Sequence, residues 1–416
     1  MQADTTAGRS EAPTRPHWMP SSEFVARDAE DFSLVVGGPL YQLLRRAHLS
    51  DDALQMVRQR VVVIALLTWL PLLVLAALER HLWAGSTTVP FFLDLEVHIR
   101  LLAVVPLLIV AELVVHQRLR PIGLGFLERN LVPEPALMRF DAALRSAYGL
   151  RNSVLAEVLL IVAVYGIGVL IVWRHYSALD AATWYAMPSA SGSRLSLAGM
   201  WYGYVSLPFF QFLLIRWYFR LFIWTRFLWQ VSRIELSIVP THPDRFGGLG
   251  FLSNTVYAFA VLLVAHGAML AAQLANRIFF LGASLVDYKA EIAVMVAFLL
   301  CVVFAPLLVF APQLARAKRK GLREYGTLAE RYVREFDAKW LRGGVPAGEP
   351  LVGSADIQSL ADLNNSFEVV RGMRIALVTR DTLIRHAAAV LVPMAPLALT
   401  MMPLEELAKR LFGLLF

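Results

Sequence analysis

Val61–Trp83 reads VVVIALLTWLPLLVLAALERHLW and carries no charge before Glu79. An α-helix needs roughly 20 apolar residues to cross the hydrocarbon core of a bilayer, so this stretch is read as a transmembrane helix, and it decides the fold. The composition of the whole chain agrees. Of 416 residues, 57% are hydrophobic and only 17% charged, whereas a soluble domain sits near half and a quarter. The excess apolar surface has to face lipid.

Working outward from that first span, the chain before it is polar. Residues 1–31 are rich in Ser, Thr, Pro and charge and form a disordered tail without the apolar core of a signal peptide. Residues 32–60 alternate apolar and basic side chains around Gly37, Gly38 and Pro39, and Ser50 before Asp51 and Asp52 marks a helix start. They are read as short amphipathic helices on the membrane surface.

After the first span, apolar runs recur at Val97–His116, Val154–Trp173, Leu197–Trp224, Val256–Leu281 and Ile292–Pro312, a six-span bundle over 61–312. His386–Met402 is shorter and holds Pro393 and Pro396, and is read as a seventh span in preference to a re-entrant segment. Between the spans lie a basic helical insert at 117–152 and a long charged helical segment at 313–385, and 386–416 ends in an amphipathic helix. The fold class is an all-α membrane protein: a polytopic helical bundle with about seven transmembrane helices, six if the last re-enters, plus cytoplasmic amphipathic helices. Roughly 29 of the Lys and Arg residues fall on one side of this layout and about five on the other. That bias predicts a cytoplasmic N-terminus and places 117–152 and 313–385 inside.

The formal charge of +7 invites a nucleic-acid partner, but its basic residues sit beside apolar spans. The partners implied are the lipid bilayer and its anionic headgroups, with no nucleic acid. A second copy of the chain and a cytoplasmic protein bound through the 313–385 helices complete the expected partners. A single cysteine, Cys301, permits neither an intramolecular disulfide nor a Cys-based metal site.

Charges inside spans are costly and therefore informative. Glu112 and His116 lie one helical turn apart, as do Arg216 and Arg220, and Glu157 lies just inside the third span. Their depths permit Glu112–Arg216 and Glu157–Arg220 pairs. Two readings follow: helix-to-helix ion pairs that fix packing, or a polar vestibule open to the cytoplasm. His266, with Gln273 and Asn276 further along the same helix, is read as a hydrogen-bonded packing residue or a proton relay.

The connection Ile238–Thr255, IVPTHPDRFGGLGFLSNT, is the densest in special residues. Pro240 and Pro243 end the fourth span, and Gly247, Gly248 and Gly250 allow positive φ or close backbone approach. Ser253–Thr255 are placed to cap the fifth span. The stretch is a structural turn, or an anion seat built from free amides, a helix N-terminus and Arg245, or a metal site using His242 and Asp244 with Glu112 or His116. It matches neither a zinc signature nor a phosphate-binding Walker loop, and no catalytic residue, metal or cofactor is assigned.

Four phrases, VGGPLYQLLRRAHLS, PTHPDRFGGLGFL, REFDAKWLRGG and SADIQSLADLNNSFEVVRGMR, resemble the signatures of an uncharacterised family of bacterial multi-pass inner-membrane proteins. The resemblance covers nearly the whole chain from Phe32 and implies a bacterial inner-membrane location. It implies no activity. The sequence therefore predicts a channel or transporter for a small solute, an anion among the candidates, with a non-catalytic scaffold or sensor as the alternative.

Overall fold

Long apolar helices organise the molecule. The computed structural model describes residues 25, 29–30, 32–46, 56–83, 87–173, 183–189 and 192–401. Six helices there are long and apolar enough to cross a membrane, and a bent helix pair brings the number to seven. The chain is a multi-pass, all-α membrane protein. The predicted disordered tail falls almost entirely outside the described residues, as do the helix start at Ser50 and the helix after Met402.

In order, α1 (Pro39–Arg46) is short, and α2 (Val57–Leu78) and α3 (Leu95–Glu128) are the first two spans. Helix α4 (Leu137–Arg151) meets α5 (Val154–Ala163, prolonged by the wider turns of Val164–Trp173) at a 48° bend. Ser153 makes that corner by accepting the amide of Ala156 at 3.2 Å. A small antiparallel hairpin, β1 (Ala186–Ser189) and β2 (Gly192–Leu195), precedes α6 (Leu197–Val231), α7 (Gly250–Leu281) and α8 (Leu285–Leu308). Helices α9 (Ala311–Trp340) and α10 (Ala355–Arg371) form a charged pair, and α11 (Arg380–Met401) returns as the last crossing.

Burial along α2 shows why these helices belong in lipid. Its inward stripe is Arg60, Ile64, Thr68, Leu72 and Ala76, one residue per helical turn. Val62, Val63, Leu66, Leu67, Leu70 and Val74 point outward and stay exposed, the reverse of a water-facing helix. Helices α3, α6 and α7 are the more buried centre, and α2, α8 and α11 the periphery.

Two spans carry the same defect for the same reason. In α3 the turns at Arg100–Val104 are widened just before Pro106, and in α6 those at Tyr202–Ser206 just before Pro208. Proline donates no amide and its ring clashes with the carbonyl four residues back, so the helix takes up an extra residue there.

The region read as two surface helices divides differently. Phe32–Gly38 is not helical: Phe32, Ser33, Leu34 and Val35 are buried in the bundle, with the Phe32 ring 4.8 Å from that of Phe227. Val57–Arg60 belongs to the first span. The fourth span also runs on past Trp224 to Val231, and α7 starts at Gly250 with ten residues of tight 3-10 geometry.

Candidate functional site

Arg60, Glu112, Glu157, Arg216 and Arg220 come from four different helices and meet inside the bundle. Glu112 is the hub. Its Oε1 accepts from Arg220 at 2.7 Å and Arg216 at 3.3 Å, and its Oε2 faces Arg60 at 2.9 Å. Glu157 pairs with Arg216 at 3.3 Å rather than with Arg220. All five side chains are buried or nearly so. The i,i+4 spacing of Arg216 and Arg220 lets one helix face offer two guanidiniums to carboxylates on α3 and α5. Arg220 is further held over the Trp217 ring, 4.8 Å away.

Sequence alone does not single out Arg60, because it stands one residue before the apolar run begins. Its signal is the stripe that follows it: counting back from Thr68 and Ile64 in fours reaches Arg60 on the same helix face. With it the cluster holds three guanidiniums and two carboxylates, an excess of one positive charge. Among the described residues, the Nε and one Nη of Arg60 are buried without any hydrogen-bond partner.

The Phe32–Leu40 segment closes the cluster from one side. The Leu40 amide donates to Glu157 at 2.9 Å, and Arg151 donates to the Ser33 carbonyl at 2.8 Å. Ser33 Oγ accepts the amides of Val35 and Val36, so its own proton goes to Nδ1 of His116 at 2.9 Å. His116 therefore belongs to the seal, not to the ion pairs. Gly38 lies against the Arg151 carbonyl with positive φ, a place no side chain fits.

The Ile238–Thr255 turn is built around Asp244. Its Oδ1 accepts from the amides of Phe246 (2.7 Å) and Gly248 (3.2 Å), its Oδ2 from Gly250 (2.8 Å), and His242 Nδ1 lies 2.9 Å away. Burial alone would raise this carboxyl, but the three amides and His242 outweigh it and hold the group below the usual carboxylate range. The amides expected to seat an anion are thus taken by the chain's own carboxylate. Arg245, Gly247 and Gly248 adopt positive φ, and Gly250 leaves room for the Asp244 carboxylate, which a side chain there would strike. Ser253 and Thr255 donate to the carbonyls of Gly250 and Leu252 instead of capping α7; Asp244 supplies that cap. The turn is also remote from the charged cluster, since α6 runs eleven residues beyond Arg220, about 16 Å of helix.

His266 donates from Nδ1 to the Leu262 carbonyl at 2.8 Å and accepts the Tyr218 hydroxyl at Nε2, also at 2.8 Å. The carbonyl fixes the proton on Nδ1, so the ring is satisfied on both sides. Asn276 accepts the Leu95 amide and donates to Asp94, which in turn receives the Trp184 indole at 2.8 Å. Gln273 is half-buried on α7. Among the described residues no three His, Cys, Asp or Glu side chains gather as a metal site. Comparison of the chain with protein-family models, curated proteins and solved structures gives no match.

Proposed function

We propose that this membrane protein passes a small inorganic or carboxylate anion across the bacterial inner membrane, with the Arg60–Arg216–Arg220 cluster as its internal binding point. The carrying observation is the unbalanced cluster: among the described residues it holds one charge in excess, and two buried donors of Arg60 have no partner. An unpaired buried charge is expensive, and an anion beside Arg60 relieves it. The Phe32–Leu40 segment closes the pathway in this conformation, so conduction requires it to move. The inner-membrane location rests on the resemblance of the four phrases, and a cytoplasmic N-terminus on the Lys and Arg bias.

The test is chloride, nitrate and formate flux into liposomes holding the purified chain, against protein-free liposomes. Flux that falls strongly in Arg60→Met and survives in Asp244→Asn supports the reading. Equal leak with and without protein, for every anion and both gradient directions, removes it.

A scaffold role is the second reading, favoured by the α9–α10 pair. Leu341, Leu351 and Val352 at its turn stand exposed, Val352 at 89%, as a docking tip would. Deleting 343–352 and losing a co-purifying protein while keeping the fold would favour it.

A further inference from the structure

A groove at the junction of α8 and α9 has the two-sided chemistry of an amphiphile site. It encloses about 1020 Å³ between that junction and the loop after α6. Its wall is basic at Arg233, Arg316, Lys320 and Arg323, against Glu235 and Glu324. It is apolar at Leu308 and Trp229, which stand about half exposed at the ends of their helices. Arg233 stacks on the Trp229 ring at 5.2 Å, and Lys320 meets Glu324 only at 3.9 Å. Arg316 and Arg323 have no ion-pair partner among the described residues.

The floor adds a second, independent feature. Gln313 is buried and donates from Nε2 to the carbonyls of Ser232 and Ile234, both at 2.6 Å. Those two bonds fix which end of the amide is which. Its Oε1 is left as a buried acceptor with no donor among the described residues. A group that suits this floor and wall brings a phosphate for the arginines and a hydroxyl for Gln313.

We propose that this groove seats the headgroup of an anionic phospholipid bearing a free hydroxyl, of the phosphatidylglycerol class. The phosphate lies among Arg233, Arg316 and Arg323, and the acyl chains leave along Leu308. The apolar wall at the end of a membrane-spanning helix selects a lipid over a free anion, and the net basic lining selects an anionic headgroup over a zwitterionic one. This reading does not depend on anion passage.

The experiment is native mass spectrometry of the full chain in detergent, with phosphatidylglycerol, phosphatidylcholine or water-soluble glycerophosphoglycerol added. Phosphatidylglycerol should be retained in preference to the other two. The double variant Arg316→Gln, Arg323→Gln should weaken that retention by about tenfold, since each basic side chain near an anionic surface contributes appreciably. Both residues are exposed, so the variant is expected to keep its unfolding temperature. Equal retention of phosphatidylglycerol and phosphatidylcholine by the unaltered chain overturns the proposal. So does unchanged retention by the variant, and so does equal competition by glycerophosphoglycerol, which would mark a free-phosphate site.

Discussion

At the scale of single residues, Glu112 and Arg60 are opposites within one cluster. Glu112 answers three guanidiniums, so Glu112→Gln leaves Arg216 with Glu157 and leaves Arg60 and Arg220 with no carboxylate among the described residues. Removing one partner of a buried pair costs about 3–5 kcal/mol, and the variant should show a sharp fall in unfolding temperature in detergent. Arg60→Met removes a guanidinium whose Nε and one Nη have no partner among the described residues, and restores the cluster's charge balance, so its stability should stay within about 1 kcal/mol of the parent. If both variants unfold together, Arg60 is no less paired than its neighbours. Asp244 supplies a pH-dependent case. Its folded pKa lies below the unfolded value of about 3.9, so the carboxylate stabilises the fold above that pH. The contribution disappears as pH falls through the folded pKa. Asp244→Asn should cost about 1–3 kcal/mol at neutral pH, and the gap from the parent should narrow below about pH 4. A gap that stays constant from neutral to acid pH would show that the amides, not the charge, matter.

Among elements, the crossing of α7 and α11 depends on Gly267. A Cβ built there would collide with the carbonyl oxygen of Val390, so the two backbones touch. Gly267→Leu should push α11 outward, and a disulfide between cysteines placed at 271 and 394, in a Cys301→Ser chain, should form more slowly than with Gly267 retained. An unchanged rate would show that the helices adjust without parting. The spans are legible in sequence because a bilayer core requires apolar runs of about 20 residues, longer than most buried core helices supply. The corners are legible only as dense phrases. VGGPL proves to be the seal over Glu157, PTHPDRFGGLG a shell around Asp244, and VVRGMR its partner, through the Arg374 amide on the Arg245 carbonyl at 2.8 Å. Which guanidinium meets which carboxylate is not legible, because spacing along one helix sets a face and not the rotation of its neighbour. Phe32–Gly38 escapes a sequence reading for a similar reason: its burial depends on tertiary packing against Trp224 and Phe227, which no local periodicity records.

For the whole molecule, the path of α11 decides the number of crossings. Near its start, His386 lies against Tyr257 at the beginning of α7 and Phe304 near the end of α8. Val390 follows at Gly267, and Met394 and Leu397 reach Leu274 and Ala275 near the end of α7, beside Leu285 and Tyr288 at the start of α8. The helix therefore travels the full height of its neighbours, in the direction of α7, and does not turn back. With the bent α4–α5 pair counted as one span, the described residues hold seven candidate crossings, an odd number that predicts the two ends of the bundle on opposite faces of the membrane. Single cysteines at Arg145, Arg334, Val286 and Met401, in a Cys301→Ser chain, would be labelled in intact cells with a membrane-impermeant maleimide. Positions 145 and 334 should react only after the membrane is opened, as the Lys and Arg bias requires, while 286 and 401 should react at once. If 401 shares the protection of 334, α11 re-enters and the molecule has six crossings; if 145 and 334 react first, the orientation is reversed although the fold stands.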